Sequence, residues 1–456
     1  MSECLLTRLG SILKYPTPTL IAWNQTFNTD YLLAGGSHKA KIIETLKYLE
    51  AMDPSQDDDL VMMMDAYGAF PVTLLKGPKR SPLPDIWFQL RPETMISRYY
   101  SINAAANKRL KARLGKAYEK ESLRQTIIFG AGKRCAPNQM HTAACYPVPA
   151  SPLPDDLYGN NTDSELGKNP FTTAKQRYLN SGFIMGPIAD IRRMFKRAWE
   201  IVETRPGFLD PWDNGSHGSD FTYHASDQAI FAIMFGNQEY QREVMRQRHL
   251  TSYDKMRGKA KSQPLKVGPV VVNDVLNPPF THEPIEPKEG QPDEFGIGLD
   301  YFSDLIHQTI NAEDDAHYLT FHSNITGQLS DRTGHFDCPS RVNGSLPQDI
   351  LSTTPPLADL LDEDMPWDHA SLYTNVCYDT VPVMIHHNGD KPAREKQWSK
   401  TWMQPYGKRL LEGLRGDGAG AFLPSMERLG WEELCPKEYE WELFREGEKP
   451  GEKKGE

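Results

Sequence analysis

Residues 177–199 read RYLNSGFIMGPIADIRRMFKRAW, and they hold both halves of an α/β unit. From Tyr178 to Met185 the run is apolar apart from Asn180 and Ser181, which suits a strand covered on both faces. Pro187 then opens a helix, because the N–H it lacks is one that a helix start leaves unpaired anyway. Ile188, Ile191, Phe195 and Ala198 follow at three- and four-residue spacing and define the inner face of that helix. A strand that runs straight into an amphipathic helix predicts a sheet with helices laid on it.

The same design recurs on either side. DLVMMMD (59–65) is a near-continuous apolar strand, and TIIFGAGKRC (126–135) is another that ends in small residues, where a ligand can approach the backbone. PTLIAW (18–23) predicts a further strand. In AGGSHKAK (34–41) Ser37 is placed to cap a helix that turns Ile42, Ile43, Leu46 and Leu49 inward. Gly35 and Gly36 leave backbone N–H groups for a phosphate, with Lys39 and Lys41 adding charge, although a plain helix start has the same pattern. SDQAIFAIMFG (226–236) predicts a helix with Asp227 and Gln228 in its first turn, and YDTVPVMIHHNG (378–389) a strand ending in His386 and His387. Residues 251–375 are Pro-rich and acidic and predict a loop-rich part, with few elements beyond GLDYFSDLIHQTI (298–310). Alternating strands and helices predict an α/β fold with a mainly parallel central sheet flanked by helices and interrupted by long Pro-rich insertions. Ligands of such sheets sit beyond the carboxyl ends of the strands, where Asp65, Cys135, Asn180 and His386 all lie.

Composition narrows the function. The 456 residues are 39% hydrophobic and 25% charged, as in a globular protein, and a net charge of −10 argues against a broad nucleic-acid footprint. No apolar run approaches the roughly 18 residues of a membrane helix. The first sixteen residues lack the pattern of a signal peptide and read as a truncated N-terminal segment, as a missing upstream exon would leave. The six cysteines have no zinc spacing, but Cys135 and Cys145, ten apart in one loop, suit a small disulfide in an oxidising compartment. N-x-S/T sites at Asn24, Asn160, Asn214, Asn324 and Asn343 exceed the roughly two or three expected by chance and lean toward a lumenal protein. The tail REGEKPGEKKGE is of low complexity.

A carboxylate pair with one imidazole, opposite a glycine-rich helix start, suits a divalent ion bridging a diphosphate. Oxygen ligands favour Mg2+ or Mn2+, and one histidine tilts the choice to Mn2+. Such an ion neutralises charge building on a nucleoside-diphosphate leaving group, which points to glycosyl transfer. Taken singly, the same residues fit blander roles. Asp65 is a turn residue, His386 a satisfied loop histidine, Asp227 a helix cap, Asn180–Gly182 a tight turn and Cys135 a structural thiol.

In order along the chain, GGSHKAK, DLVMMMDAY, FGAGKRCAPN, YLNSGFIMG, SDQAIFAIMF, LDYFSDLIHQT and YDTVPVMIHHNG resemble the glycosyltransferase domain of the procollagen lysyl hydroxylase/glucosyltransferase family and its fungal relatives, over residues 18–406. The resemblance implies a GT-A domain over 17–415 with a C-terminal extension over 416–456. It also implies a UDP-sugar donor, Mn2+ (or Mg2+), a hydroxyl-bearing glycan or protein acceptor, and work in the ER or Golgi lumen. Matched by motif, Asp65 and His386 are metal ligands and Tyr67 lies against the uracil ring. Lys39, beside Gly35 and Gly36, meets the diphosphate. Asn180, Ser181, Asp227 and Gln228 line the sugar pocket, with Asp227 and Asn180 nearest the chemistry. The hydroxylase module of the animal proteins has no counterpart here, so collagen need not be the acceptor.

One departure matters. The family's metal motif is Asp-x-x-Asp, but position 68 is Gly68, and the block that should continue it, DIWFQL, begins at Asp85. The relatives it resembles read DAYDIWFQL without interruption, which makes Asp85 the second carboxylate. The seventeen residues Gly68 to Pro84 read as a retained intron, since their codons permit splice boundaries whose removal restores an Asp codon; a genuine surface insertion is the other reading, loop length costing little closure entropy. With the insert in place, a catalytically inactive sugar-nucleotide or glycan-binding relative is a second function class, and a metal-dependent hydrolase using Asp65 and His386 a third.

Overall fold

The computed structural model describes residues 10–23, 36–65, 85–164, 169–204, 226–267, 270–280, 293–330, 336–358, 364–407, 409–410 and 420–434. Gly35, Tyr67, the insertion 68–84, Asn24, Asn214 and the C-terminal tail lie outside them. In chain order the strands are β1 (Leu60–Met64), β2 (Ile86–Phe88), β3 (Ile127–Gly132), β4 (Tyr178–Pro187), β5 (Leu265–Val267), β6 (Val270–Val272), β7 (Ile297–Asp300), β8 (Ile306–Gln308), β9 (Ala316–Leu319), β10 (Leu372–Asn375), β11 (Met384–His386), β12 (Gly420–Phe422) and β13 (Arg428–Gly430). The helices that build the site are α1 (Gly36–Glu50), α2 (Pro92–Leu114), α3 (Ile188–Thr204), α4 (Asp227–Arg248) and α5 (Lys391–Trp398).

A four-stranded sheet in the order β1-β4-β3-β7 divides the molecule, and side-chain alternation decides which core each residue joins. Ile127, Phe129 and Ala131 of β3 and Ile184 of β4 face one core; Ile128, Phe183 and Met185 face the other. β1 obeys the same rule with half-buried residues: Val61 and Met63 pack toward the first core, Leu60, Met62 and Met64 toward the second. The first core is closed by α1, α3 and α4. Ile42, Leu46 and Leu49 of α1 and Ile188, Ile191, Phe195 and Ala198 of α3 are buried there, as their spacing requires. Each of the larger side chains contributes about 1.5–3 kcal/mol by leaving water. α1 begins at Gly36, so Ser37 falls inside its first turn and not at the cap position expected of it.

The second core lies under a three-stranded sheet, β2-β11-β8, whose β8 abuts β3. Here His386 of β11 sits between Ile86 of β2 and Gln308 of β8.

Three further expectations need correction. The sheets are mixed and not mainly parallel: β3–β7 and β11–β8 are parallel, while β1–β4, β3–β4 and β11–β2 are antiparallel. A parallel return needs a crossover, usually a helix, and the chain from β3 to β4 has only a single 3-10 turn, Gly159–Asn161, among its described residues. PTLIAW forms no strand. Only Thr19 bridges to Phe422 before residues 21–23 turn, and Pro16 and Pro18 supply no N–H for a longer ladder. The 251–375 part is richer than its composition suggests, containing β5 to β10, because strands of three or four residues leave almost no periodic signal.

Two disulfides are present. Cys135–Cys145 follows the sequence spacing, whereas Cys338–Cys377 joins segments 39 residues apart that no motif paired. Among the described residues no helix is long and apolar enough to cross a membrane.

Candidate functional site

The site grows from an irregularity in β4. Phe129 of β3 pairs with Ile184, but the next residue, Gly130, pairs with Asn180, so Ser181, Gly182 and Phe183 have no β3 partner. Such a bulge re-aims backbone groups that would otherwise be locked in the ladder. Asn180 Oδ1 accepts from the Gly182 N–H at 3.0 Å, and the Gly182 carbonyl accepts from the Asp65 N–H at 3.1 Å, just beyond the end of β1. Gln228, in the first turn of α4, pins the bulge from above. Its Oε1 accepts from Asn180 Nδ2 at 2.8 Å and from the Ser181 N–H at 3.4 Å, and its Nε2 donates to the Ala136 carbonyl beyond β3.

Against this floor the Lys41 ammonium makes three bonds: to Asp65 Oδ1 at 2.6 Å, to Asp227 Oδ2 at 2.9 Å and to the Ser181 carbonyl at 2.9 Å. These use all three of its donors. His38, one turn earlier on the same face of α1, places Nδ1 3.2 Å from Asp227 Oδ1. Burial opposes charge on both Asp227 and Lys41, yet each holds the other ionised. The Lys41 charge and the His38 contact keep the Asp227 carboxyl well below its ordinary range, and Asp227 and Asp65 raise Lys41 above its own. Asp227 also stands at the positive end of α4, which favours a carboxylate. Its hydrogen bond raises the His38 pKa.

His386 enters from the second sheet and rests against Gly182. A Cβ at Gly182 would lie 2.8 Å from His386 Nδ1 and closer still to Cε1, so the approach needs glycine. His386 is 5% exposed, and its Nδ1 has no hydrogen-bond partner. Burial lowers its pKa, with Asp65 and Asp85 acting in the opposite direction.

Asp85 stands just before β2. Its carbonyl accepts from the His387 N–H at 2.6 Å, and its carboxylate is bound by Arg394 of α5, a buried guanidinium. Of the expected metal set, then, Asp65 is joined to Lys41, Asp85 to Arg394, and His386 lies within the field of both carboxylates. Among the described residues no three His, Cys, Asp or Glu side chains form a metal cage. Ser181 contributes its backbone carbonyl and N–H. Lys39, also expected at the diphosphate, is 4% exposed, and burial lowers its pKa; it is Lys41 that reaches the carboxylates. Gly36 opens α1.

His38 and Arg394 were not anticipated. The three-residue spacing of His38 and Lys41 puts both on one helical face and was a usable signal, whereas nothing near Arg394 in sequence points to Asp85, 309 residues away.

Two helix N-termini, a cluster of opposed charges and an unpaired imidazole thus meet at the carboxyl end of β1. Such an arrangement can bind an anionic ligand together with a cation. The chain matches no protein-family model and no curated protein.

Proposed function

We propose that the chain is a glycosyltransferase that moves a hexose from a UDP-sugar to a hydroxyl of a glycan or protein, with Mn2+ or Mg2+ at the diphosphate. The observation that carries this reading is the gathering of Asp65, Asp227 and the Ser181 carbonyl around one cationic centre, beside a buried histidine nitrogen without a partner. Carboxylate and carbonyl oxygens with one imidazole suit Mn2+. Asp65 and His386 would hold the ion, with Asp85 as the second carboxylate by family resemblance. When bound, the ion neutralises charge on the departing diphosphate.

The remaining work falls to the chain's own groups. The bond from the anomeric carbon to the UDP oxygen breaks, a bond to the acceptor oxygen forms, and the acceptor's proton leaves to a base. Asp227 is the carboxylate best placed for the sugar, held ionised by Lys41 and His38. Asn180 and Gln228 are already bonded to each other and orient the pocket floor. Lys41 and the N-termini of α1 and α4 favour the diphosphate. A lumenal compartment is part of the proposal and is supported by both disulfides and by the exposure of Asn160, Asn324 and Asn343.

A second reading has its own observation. The expected carboxylates Asp65 and Asp85 are each paired with a protein cation, which would suit a protein that binds sugar nucleotides without turning them over. Titration calorimetry of UDP with and without Mn2+, on the chain as written and on one lacking residues 68–84, separates these. Mn2+-dependent UDP binding together with UDP release on adding acceptor supports the transferase. Binding without release supports the inactive relative, and absent or metal-independent binding in both forms removes the proposal.

A further inference from the structure

Charge is unevenly placed on this acidic chain. Residues 108–124 and 246–261 carry thirteen Lys or Arg against three Asp or Glu, in a chain whose net charge is −10. The two segments form one surface. Leu110, Leu114, Ala117, Tyr118 and Leu123 pack with Met245 of α4 in a small core of their own, and Glu121 lies 2.6 Å from His249 and 3.5 Å from Arg248. Every one of the thirteen cations is exposed except the half-buried Arg246. Among the described residues only Lys111, Arg113, Arg246, Arg248 and Lys259 of this set form ion pairs with carboxylates, so most of the positive charge faces water uncompensated. Two apolar side chains stand among these cations. A short helix, Ser252–Met256, follows α4 and is fixed by a capping box between Thr251 and Asp254. It presents Tyr253 and Met256, three residues apart on one face, at 55% and 77% exposure, and no large hydrophobic residue among the described ones is more exposed than Met256. Arg257 lies 4.6 Å over the Tyr253 ring.

We infer that this surface docks on an anionic lipid bilayer, with Tyr253 and Met256 entering the headgroup layer and the lysines and arginines around them meeting lipid phosphates and carboxylates. Charge alone would suit any polyanion. The apolar pair selects the bilayer, because a soluble polyanion gives these two side chains no apolar phase to enter, whereas lysine and arginine keep their charged ends at the headgroups beside them. The surface is also remote from the site at the end of β1. Asp227 is the first residue of α4 and Arg248 its last, and 22 helical residues set the two ends about 30 Å apart. No residue of that site takes part in docking, so the inference stands apart from the transferase reading.

Sedimentation with vesicles tests it. The full chain is mixed with vesicles of phosphatidylcholine alone or of phosphatidylcholine with about 30% phosphatidylserine, at about 0.1 M and about 0.5 M salt, and its retention on heparin is measured alongside. Two double variants, Lys255→Glu with Lys261→Glu and Tyr253→Ser with Met256→Ser, are treated in the same way after circular dichroism has confirmed their fold. The chain is expected to sediment with the phosphatidylserine vesicles at low salt, to be released at high salt, and to leave phosphatidylcholine vesicles unbound. Reversing the two lysines should lower the partition coefficient at least about tenfold, and replacing the apolar pair at least about fivefold. Absence of binding to phosphatidylserine vesicles overturns the inference, and heparin retention in that case would assign the surface to a soluble polyanion. Binding that either double variant leaves within about twofold of the full chain overturns it as well. All of these outcomes leave UDP binding, read by calorimetry, to be judged on its own.

Discussion

At the scale of single residues, Gly182 and Lys41 carry the site. Gly182 is needed because two things happen on its surface at once: its carbonyl extends the ladder to Asp65, and its missing side chain admits the His386 ring. Gly182→Ala would place a methyl within 3.0 Å of Asn180 Oδ1 as well, and both neighbours are held by their strands. The expected result is a loss of about 1–3 kcal/mol in urea denaturation, as for other overpacked sites, together with a loss of the Mn2+-dependent UDP binding proposed above. Unchanged stability and binding would show that the histidine can move aside. Lys41 is instead an electrostatic residue. Its three bonds hold together α1, the end of β1 and the start of α4, so the same contacts shape the fold and set the charge of the site.

At the scale of the element, β8 shows what strand alternation does when the buried position is a histidine. Ile306 and Gln308 point to one side, and His307 between them points to the other, fully buried and 5.5 Å from the Tyr373 ring of β10. Burial and then the Lys133 charge lower its pKa to about 3, and burial followed by the Arg394 charge lowers that of His387 at the strand end beside it. The sign follows from linkage. The folded protein keeps His307 neutral, while the unfolded chain takes up a proton near pH 6.5. Stability is therefore fully present above about pH 6.5 and falls as pH drops toward about 3, by about 1.4 kcal/mol per pH unit for this one group. Chemical denaturation of wild type and His307→Phe at pH 7 and pH 5 checks this, since the variant should show a shallower decline by that amount. Parallel slopes would mean that His307 is protonated in the folded state.

At the scale of the whole molecule, the divided core is tied by links between distant segments. Cys338–Cys377 closes the longer loop, and around it Val376 donates to the Asp315 carbonyl at 2.8 Å, while Arg341 reaches the Leu157 and Asp156 carbonyls. Asp315 is itself buried against Lys133 at 2.7 Å and Tyr158 at 2.8 Å. On the chain-entropy estimate, opening Cys338–Cys377 costs about 4 kcal/mol and opening Cys135–Cys145 about 3 kcal/mol. Paired Cys→Ser variants compared by urea midpoint should follow that order. A larger loss from the shorter loop would show that local packing, and not chain entropy, dominates.

Elements whose signals are local can be read from the chain alone. The apolar runs of β1, β3 and β4, the inner faces of α1 and α3, and the placement of Asp227 and Gln228 in the first turn of α4 all follow from spacing along a few residues. Strand direction was not legible, because a run of apolar residues buries equally well either way, and the connection decides the return. Nor was the partner of each charge. Asp65, Lys41, Asp227, Asp85 and Arg394 are all visible along the chain, but it is packing in three dimensions that sets Lys41 between Asp65 and Asp227 and brings Arg394 to Asp85. Burial makes charges seek partners, and which partner lies within 3 Å depends on how sheets and helices separated by hundreds of residues come to pack.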